Sequence, residues 1–406
     1  MPTSSPTPRR QRLRDVVPGI HLGVWPPGPK NSLTDVPDVL VSTLEIEDKA
    51  RGVHTGVTTI LPRHNWYESG CYAGIFRFNG AGDLTGSHFI EETGKVGSPI
   101  VLTNSLGVGA AYQGILEYCV EHHGNPDMGL GYFTVPVVGE TFDGHLNNLA
   151  AFAVQPSHVA EGIKQASSDP VPEGNKGGGT GMICLGHKGG TGSSSRVVAG
   201  AGAAGAGKEA TNYTVAALVQ ANFGSLRNLT IAGVPYGRIV AAERAAAEKP
   251  AVTADKAKEE RDGSILIILA TDAPLHPRQC ERLAKRATVG LSRVGGYGQN
   301  PSGDIFLAFS TANHVPVQKF GKKADDDKAD TNKDTPIDPF KPLVHGVDVV
   351  NDESINGLFE AAADATEEAI YNALCMAETL TGFQGHTIEA LDLEKLKAVM
   401  DKHMVK

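Results

Sequence analysis

Glu260-Arg261-Asp262-Gly263-Ser264-Ile265-Leu266-Ile267-Ile268-Leu269-Ala270-Thr271 runs from charged to apolar residues across a single Gly-Ser step. Every position from Ile265 to Ala270 is apolar, so the run predicts a strand covered on both faces. A serine opens that strand. Upstream, Lys249, Asp255, Lys256, Lys258, Glu259, Glu260, Arg261 and Asp262 give a stretch too charged to offset the entropy of ordering. A mobile tether over 249–262 is therefore expected to run straight into a buried position.

That placement suits an N-terminal nucleophile. Cutting the Gly263–Ser264 bond would leave an amine beside the hydroxyl, and an α-amino group of pKa about 7.7–8.0 can take the hydroxyl proton without a histidine. Gly263 lacks a Cβ, which lets its carbonyl bend toward Ser264. The dipeptide itself is common in this chain, recurring at Gly86-Ser87, Gly97-Ser98, Gly192-Ser193 and Gly224-Ser225. Only at Ser264 does a charged tether meet an uninterrupted apolar strand, although Ser98 opens a shorter one at Pro99-Ile100-Val101-Leu102.

A length of 406 residues accommodates two or three domains or one large layered one. The 48 glycines cluster in loops without a collagen-like repeat. A net charge of -9, with no basic stripe, argues against a nucleic-acid partner. Cys71, Cys119, Cys184, Cys280 and Cys375 are odd in number and lack CxxC spacing, which argues against a disulfide framework or zinc ribbon and for reduced thiols in the cytoplasm. Met1 to Arg14 holds four arginines and no apolar core, so it reads as a disordered tail, neither a signal nor a membrane span.

Short alternations at Asp38 to Ser42 and Gly56 to Ile60 predict strands, and Ala73 to Phe78 followed by Asn79-Gly80 carries a hairpin signal. Val108 to His122, Pro277 to Leu291 and Asn351 to Leu380 have helical spacing. Phe133 to Gly144 reads as a strand then a loop, with Glu140 and Asp143 where the strand ends. They are solvated turn carboxylates by default, or an anchor for a substrate ammonium group. Gly200 to Gly205 satisfies GxGxxG, but a strand at Asn212 to Val219 follows where a helix is needed, and no acidic residue lies between Glu209 and Glu243. Glu209 likewise spoils the P-loop mimic at Gly202 to Lys208. Asn222 sits in an expected turn after that strand. Ser302 and Asp304 share one side of the boundary into a second doubly covered strand, Ile305 to Ser310. The insert 322–343 lacks calcium-loop spacing and reads as a mobile linker.

Several blocks together resemble the L-aminopeptidase D-Ala-esterase/amidase (DmpA-like) family, which includes the β-peptidyl aminopeptidases. They are Asn79 to Gly86, Val137 to Gly144, Gly179-Thr180-Gly181-Met182 with Lys188 to Gly192, Val219 to Asn222, Ile268 to Leu275, Ser302 to Ile305, and Phe309 to Asn313. The resemblance, from about Asp15 to about Leu393, implies an α/β (α+β) fold, a four-layer α-β-β-α sandwich of the DmpA/ornithine-acetyltransferase type. It implies one catalytic domain cut into an α subunit, 1–263, and a β subunit, 264–406, that stay together in a homo-oligomer, with a tetramer suggested. By position, Ser264 becomes the nucleophile, Ser302 and Asp304 tune its amine, Asn222 donates to the oxyanion and Glu140 holds the substrate ammonium.

The implied activity is hydrolysis of amides or esters after small N-terminal residues, whether L-amino acids, D-Ala derivatives or β-amino acids, with no cofactor, metal or membrane partner. An acyltransferase, an oligoamide hydrolase and an uncut binding protein are alternatives on the same fold. Phe142, a substrate-binding candidate, stands where some members carry an aromatic hydroxyl, and the stretches 249–262 and 322–343 are longer than the family pattern leads one to expect.

Overall fold

A computed structural model describes residues 9–127, 129–202, 211–247, 263–317 and 340–405. The tether 249–262, residues 1–8 of the expected tail, most of the insert 322–343 and the second half of the GxGxxG stretch lie outside these residues.

The chain begins with α1 (Leu13–Val16), β1 (Leu40–Asp48), β2 (Val53–Leu61) and β3 (Ser69–Gly80). Next come α2 (Ser87–Thr93), β4 (Lys95–Val96), β5 (Ile100–Asn104), α3 (Val108–His123), β6 (Val137–Thr141) and α4 (Pro156–Gln165). The short β7 (Ile183–Cys184) and β8 (His187–Lys188) precede β9 (Gly190–Val198), β10 (Tyr213–Asn222) and α5 (Tyr236–Ala247). Then follow β11 (Ser264–Thr271), α6 (Pro277–Val294), β12 (Gly303–Pro316), α7 (Asn356–Met376), β13 (Leu380–Thr381), β14 (Thr387–Ile388) and α8 (Leu393–His403).

Two sheets stack face to face. One has the order β1-β2-β5-β6, the other β4-β3-β12-β11-β10-β9. Leu266, Ile268 and Ala270 of β11 meet Ile60, Ile100, Leu102 and Val137 between the sheets. Ile265, Ile267 and Leu269 point the other way, into a core shared with Leu283, Ala287, Ala362 and Ala369 of α6 and α7. A third core joins the outer face of the smaller sheet to Ile115 of α3 and Val159 of α4. These three cores separate four layers, α-β-β-α. An all-apolar strand forms where both sides of a sheet are covered, which is why β11 shows no alternation.

Sequence reading missed in three places. Asn79-Gly80 makes no hairpin turn, because β3 continues to Gly80 and pairs with β12, Gly80 opposite Gly303. The helix expected over 351–380 is α7, Asn356 to Met376, preceded by a tight turn in which the Asn351 side chain accepts the Glu353 N–H. Residues 9–14 of the expected tail are ordered rather than loose. Arg12 pairs with Glu173 at 2.6 Å, and Arg14 with Glu368 at 2.8 Å. Leu13 is fully buried beside them. Glu368 also holds the buried Arg196 at 2.7 Å; burial alone would raise its carboxyl, but Arg14 and Arg196 hold it below the usual range.

A fully buried leucine in a docked segment makes a testable case. Leu13→Ala is expected to cost about 2–5 kcal/mol in denaturant unfolding. An unchanged midpoint and slope would show that the segment contributes nothing to the folded state.

Candidate active site

Three neighbouring strands of the larger sheet bring the candidate residues together at one end. Antiparallel pairing puts Asn222 opposite Ser264, and parallel pairing puts Asp304 opposite Ile265. Ser264, Asn222, Ser302 and Asp304 are all buried. The Ser264 Oγ accepts the Gly303 N–H at 3.0 Å. Ser302 Oγ lies in hydrogen-bond contact with the Gly263 carbonyl oxygen and 2.7 Å from Asp304 Oδ1, which also accepts the Ile265 N–H at 3.2 Å. One hydroxyl proton faces two acceptors, so Ser302 polarises the Gly263 carbonyl only when Asp304 does not claim that proton.

Asn222 closes β10 and is not in a turn, contrary to the sequence reading. Its Oδ1 accepts the Ile183 N–H at 2.8 Å and its Nδ2 donates to the Phe142 carbonyl at 2.9 Å, which leaves one Nδ2 proton for another acceptor. Gly263 packs against this residue. A Cβ on Gly263 would stand 1.7 Å from the Asn222 carbonyl oxygen and 2.9 Å from Nδ2. The glycine is therefore required for close approach to β10, a stronger reason than carbonyl flexibility.

Glu140 lies in β6 and is buried, not a solvated turn carboxylate. Burial raises its carboxyl above the usual range, opposed by hydrogen bonds from the Ser105 hydroxyl and the Asp83 N–H. It comes close to the serines through Gly82, where an added Cβ would lie 3.0 Å from Gly303 Cα and 3.4 Å from Glu140 Oε1. A carboxylate thus stands one glycine away from the Ser302-Gly303 corner. Phe142 is 57% exposed, and its backbone carbonyl accepts a hydrogen bond from Asn222.

Two residues that sequence reasoning passed over complete the frame. Asn79 donates to the Gln299 and Ser302 carbonyls at 2.5 and 2.6 Å, fixing the turn that carries Ser302. Its Asn-Gly signal was visible but belonged to a side-chain anchor. Ser105, which holds Glu140, sits in a short turn after β5 that no pattern marked. A small cavity bounded in part by Phe223, Tyr297 and Gln299 opens beside Gly263 and Ser302. Among the described residues no group of three or more His, Cys, Asp or Glu side chains could hold a metal.

The model of peptidase family S58 matches residues 31–388. The chain is 40% identical over 387 residues to the β-peptidyl aminopeptidase BapA of Sphingosinicella microcystinivorans, covering 93% of this chain and 89% of that protein. A β-aminopeptidase structure from Burkholderia sp. superposes with a TM-score of 0.80 at 38% identity, covering 98% of this chain and 100% of that one. The L-aminopeptidase D-Ala-esterase/amidase of Ochrobactrum anthropi, described as a variant of the Ntn hydrolase fold, gives 0.79 at 37% identity, with 97% and 98% covered.

Gly263→Ala tests the close approach. Its Cβ must displace either the Gly263 carbonyl or the end of β10, so cleavage at 263–264, followed by intact mass, should slow by about a hundredfold for a misplacement on the order of 1 Å. Cleavage at the wild-type rate would show that the contact does not constrain the bond.

Proposed function

The chain belongs to peptidase family S58, and from that premise we propose that Ser264 first cuts the Gly263–Ser264 bond and then serves as the amino-terminal nucleophile. The protein is a self-processing serine aminopeptidase. The observation that carries the residue assignment is the meeting of Ser264 Oγ, the Gly263 carbonyl and the Ser302 hydroxyl at one strand end.

In the intact chain the Ser264 Oγ attacks the Gly263 carbonyl carbon while Ser302 donates to the carbonyl oxygen. The C–N bond breaks, the proton lost by the Ser264 hydroxyl passes to the nitrogen, and an ester links Gly263 to Ser264. Water hydrolyses that ester and leaves a free Ser264 amine. In turnover this amine takes the hydroxyl proton as Ser264 attacks the carbonyl of the substrate's first residue. The remaining Nδ2 proton of Asn222 donates to the oxyanion. The amine returns the proton to the leaving amine, and water then resolves the acyl-enzyme.

Glu140 supplies the aminopeptidase character. A buried carboxylate near the reacting serine pairs with the substrate ammonium, and the short reach favours a small first residue. β-Amino acids, L-amino acids and D-Ala derivatives are the proposed substrates, the relatives' own names supporting this range. Five buried free thiols support the cytoplasmic location. Exposed Phe340, Leu343 and Val344 support assembly of the cut pair into a homo-oligomer, a tetramer by the family resemblance.

Purified protein should give two fragments whose masses correspond to 1–263 and 264–406, and Ser264→Ala should remain a single chain; a Ser264→Ala protein that is cut would displace the nucleophile assignment. For Glu140→Gln, loss of charge pairing should raise KM about tenfold or more, equivalent to about 1.4 kcal/mol, with a smaller effect on kcat. The sign of the pH effect follows from the raised carboxyl. Glu140 stays protonated to a pH above its ordinary 4.5, so wild-type KM should climb as pH falls through that higher value. A KM flat across this acid range would remove Glu140 from ammonium binding.

A further inference from the structure

The groups assigned to turnover come from two different sheets. Ser264 and Asn222 lie on β11 and β10 of the larger sheet, and Glu140 lies on β6 of the smaller one. A substrate must place its carbonyl carbon at Ser264 and its ammonium at Glu140. Its first residue therefore spans the gap between the sheets, and one more methylene between those two groups adds a bond of about 1.5 Å. Whatever fixes that gap decides which first residue fits.

Most of the contact between the sheets cannot fix it closely. Leu102, Leu218, Leu266 and Ile268 meet there through apolar surfaces, and such contacts are non-directional. Gln220 is different. Fully buried on the same face of β10 as Asn222 and two residues before it, it sends its carboxamide across to the smaller sheet. Its Nε2 donates one proton to the Thr103 carbonyl at 2.9 Å and the other to the Thr141 Oγ1 at 2.8 Å. These acceptors bracket the ammonium anchor, since Thr103 is the β5 residue paired with Glu140 and Thr141 directly follows Glu140. In its own sheet Gln220 pairs with Leu266, two residues from Ser264 in β11. Asn222 makes a second crossing, to the Phe142 carbonyl past the end of β6.

Stability alone is a poor account of Gln220. Its Oε1 is buried against Gly178, where an added Cβ would stand 1.9 Å away, and has no hydrogen-bond partner among the described residues. A buried amide with an unpaired oxygen costs more than an apolar side chain of the same volume. What an apolar chain would lack is the pair of directed bonds.

We propose that Gln220 is the strut that sets the distance between Glu140 and Ser264, and through it the discrimination between α- and β-amino acids as the first residue. Gln220 is a positioning residue and does not touch the substrate. The inference rests on Glu140 holding the substrate ammonium.

An L-alanyl anilide and a β-homoalanyl anilide differ by one methylene between ammonium and carbonyl, and the ratio of their kcat/KM values is the measurement. A smaller active fraction cancels in that ratio, so a merely structural defect leaves it unmoved. The wild-type enzyme should favour one of the two by about tenfold or more, the scale of one methylene in a fitted site. Gln220→Met keeps nearly the same length and volume but makes neither bond, and should bring the ratio to within about threefold of one. Thr141→Val removes one acceptor without changing shape and should move the ratio about threefold in the same direction; it carries the test if Gln220→Met does not fold. A wild-type ratio near one, or a ratio in these variants equal to that of the wild type, would overturn the strut. Glu140→Gln keeps the two readings apart. An unchanged KM in that variant would remove the ammonium anchor and this inference with it, whereas a raised KM there beside an unmoved ratio in Gln220→Met would sink the strut alone.

Discussion

The register of β11 between β10 and β12 is the constraint on which the site depends. Side chains in a strand alternate faces with period two, so a slip of one residue would turn Ser264 to the opposite face and exchange the two halves of the apolar run between different cores. The run itself prevents this. Leu266 and Ile268 fill the space between sheets, while Ile265 and Ile267 fill the space under α6 and α7. Hydrophobic burial deep in the strand thus sets the position of a hydroxyl at its end.

Around that hydroxyl the fold buries groups that would be cheaper in water. Glu140 keeps a raised carboxyl under Ser105 and Asp83, and Asp143 and Lys188 each lose solvation. Such groups cost stability unless partners compensate. The compensation here comes mainly from backbone and from short polar side chains. Distant parts of the fold, including the Arg14–Glu368–Arg196 network and the deep cores, carry the stability that the site does not.

How much was legible in the sequence depended on where the physical signal resides. Six consecutive apolar residues have no stable placement except between two covered faces, so β11 and its serine could be read directly. Ser302 and Asp304 were readable as a turn into a second such strand. Glu140, by contrast, was assigned to a polar turn because a buried carboxylate and a solvated one look alike in a string of letters. Asn222 was misplaced for a related reason, since β10 ends with polar Gln220 and Asn222 facing inward. The groups that grip Asn222 are the peptide N–H of Ile183 and the carbonyl of Phe142, and backbone groups leave no mark on residue identity. Asn79 left a mark that local rules assign to hairpins, while its function is to tie β3 to the turn before β12.

Under the cleavage of the 263–264 bond proposed above, the order β4-β3-β12-β11-β10-β9 acquires another meaning. Strands β4, β3, β10 and β9 belong to the first fragment, and β12 and β11, from the second, lie between them. The second fragment fills the middle of a sheet whose two sides are both made by the first. Neither piece retains a continuous large sheet alone, and dissociation would expose four strand edges together with the apolar faces they carry. Opening that one peptide bond would convert a fold held by a single chain into an obligate two-chain assembly. From then on its stability would include a concentration term that the precursor lacks.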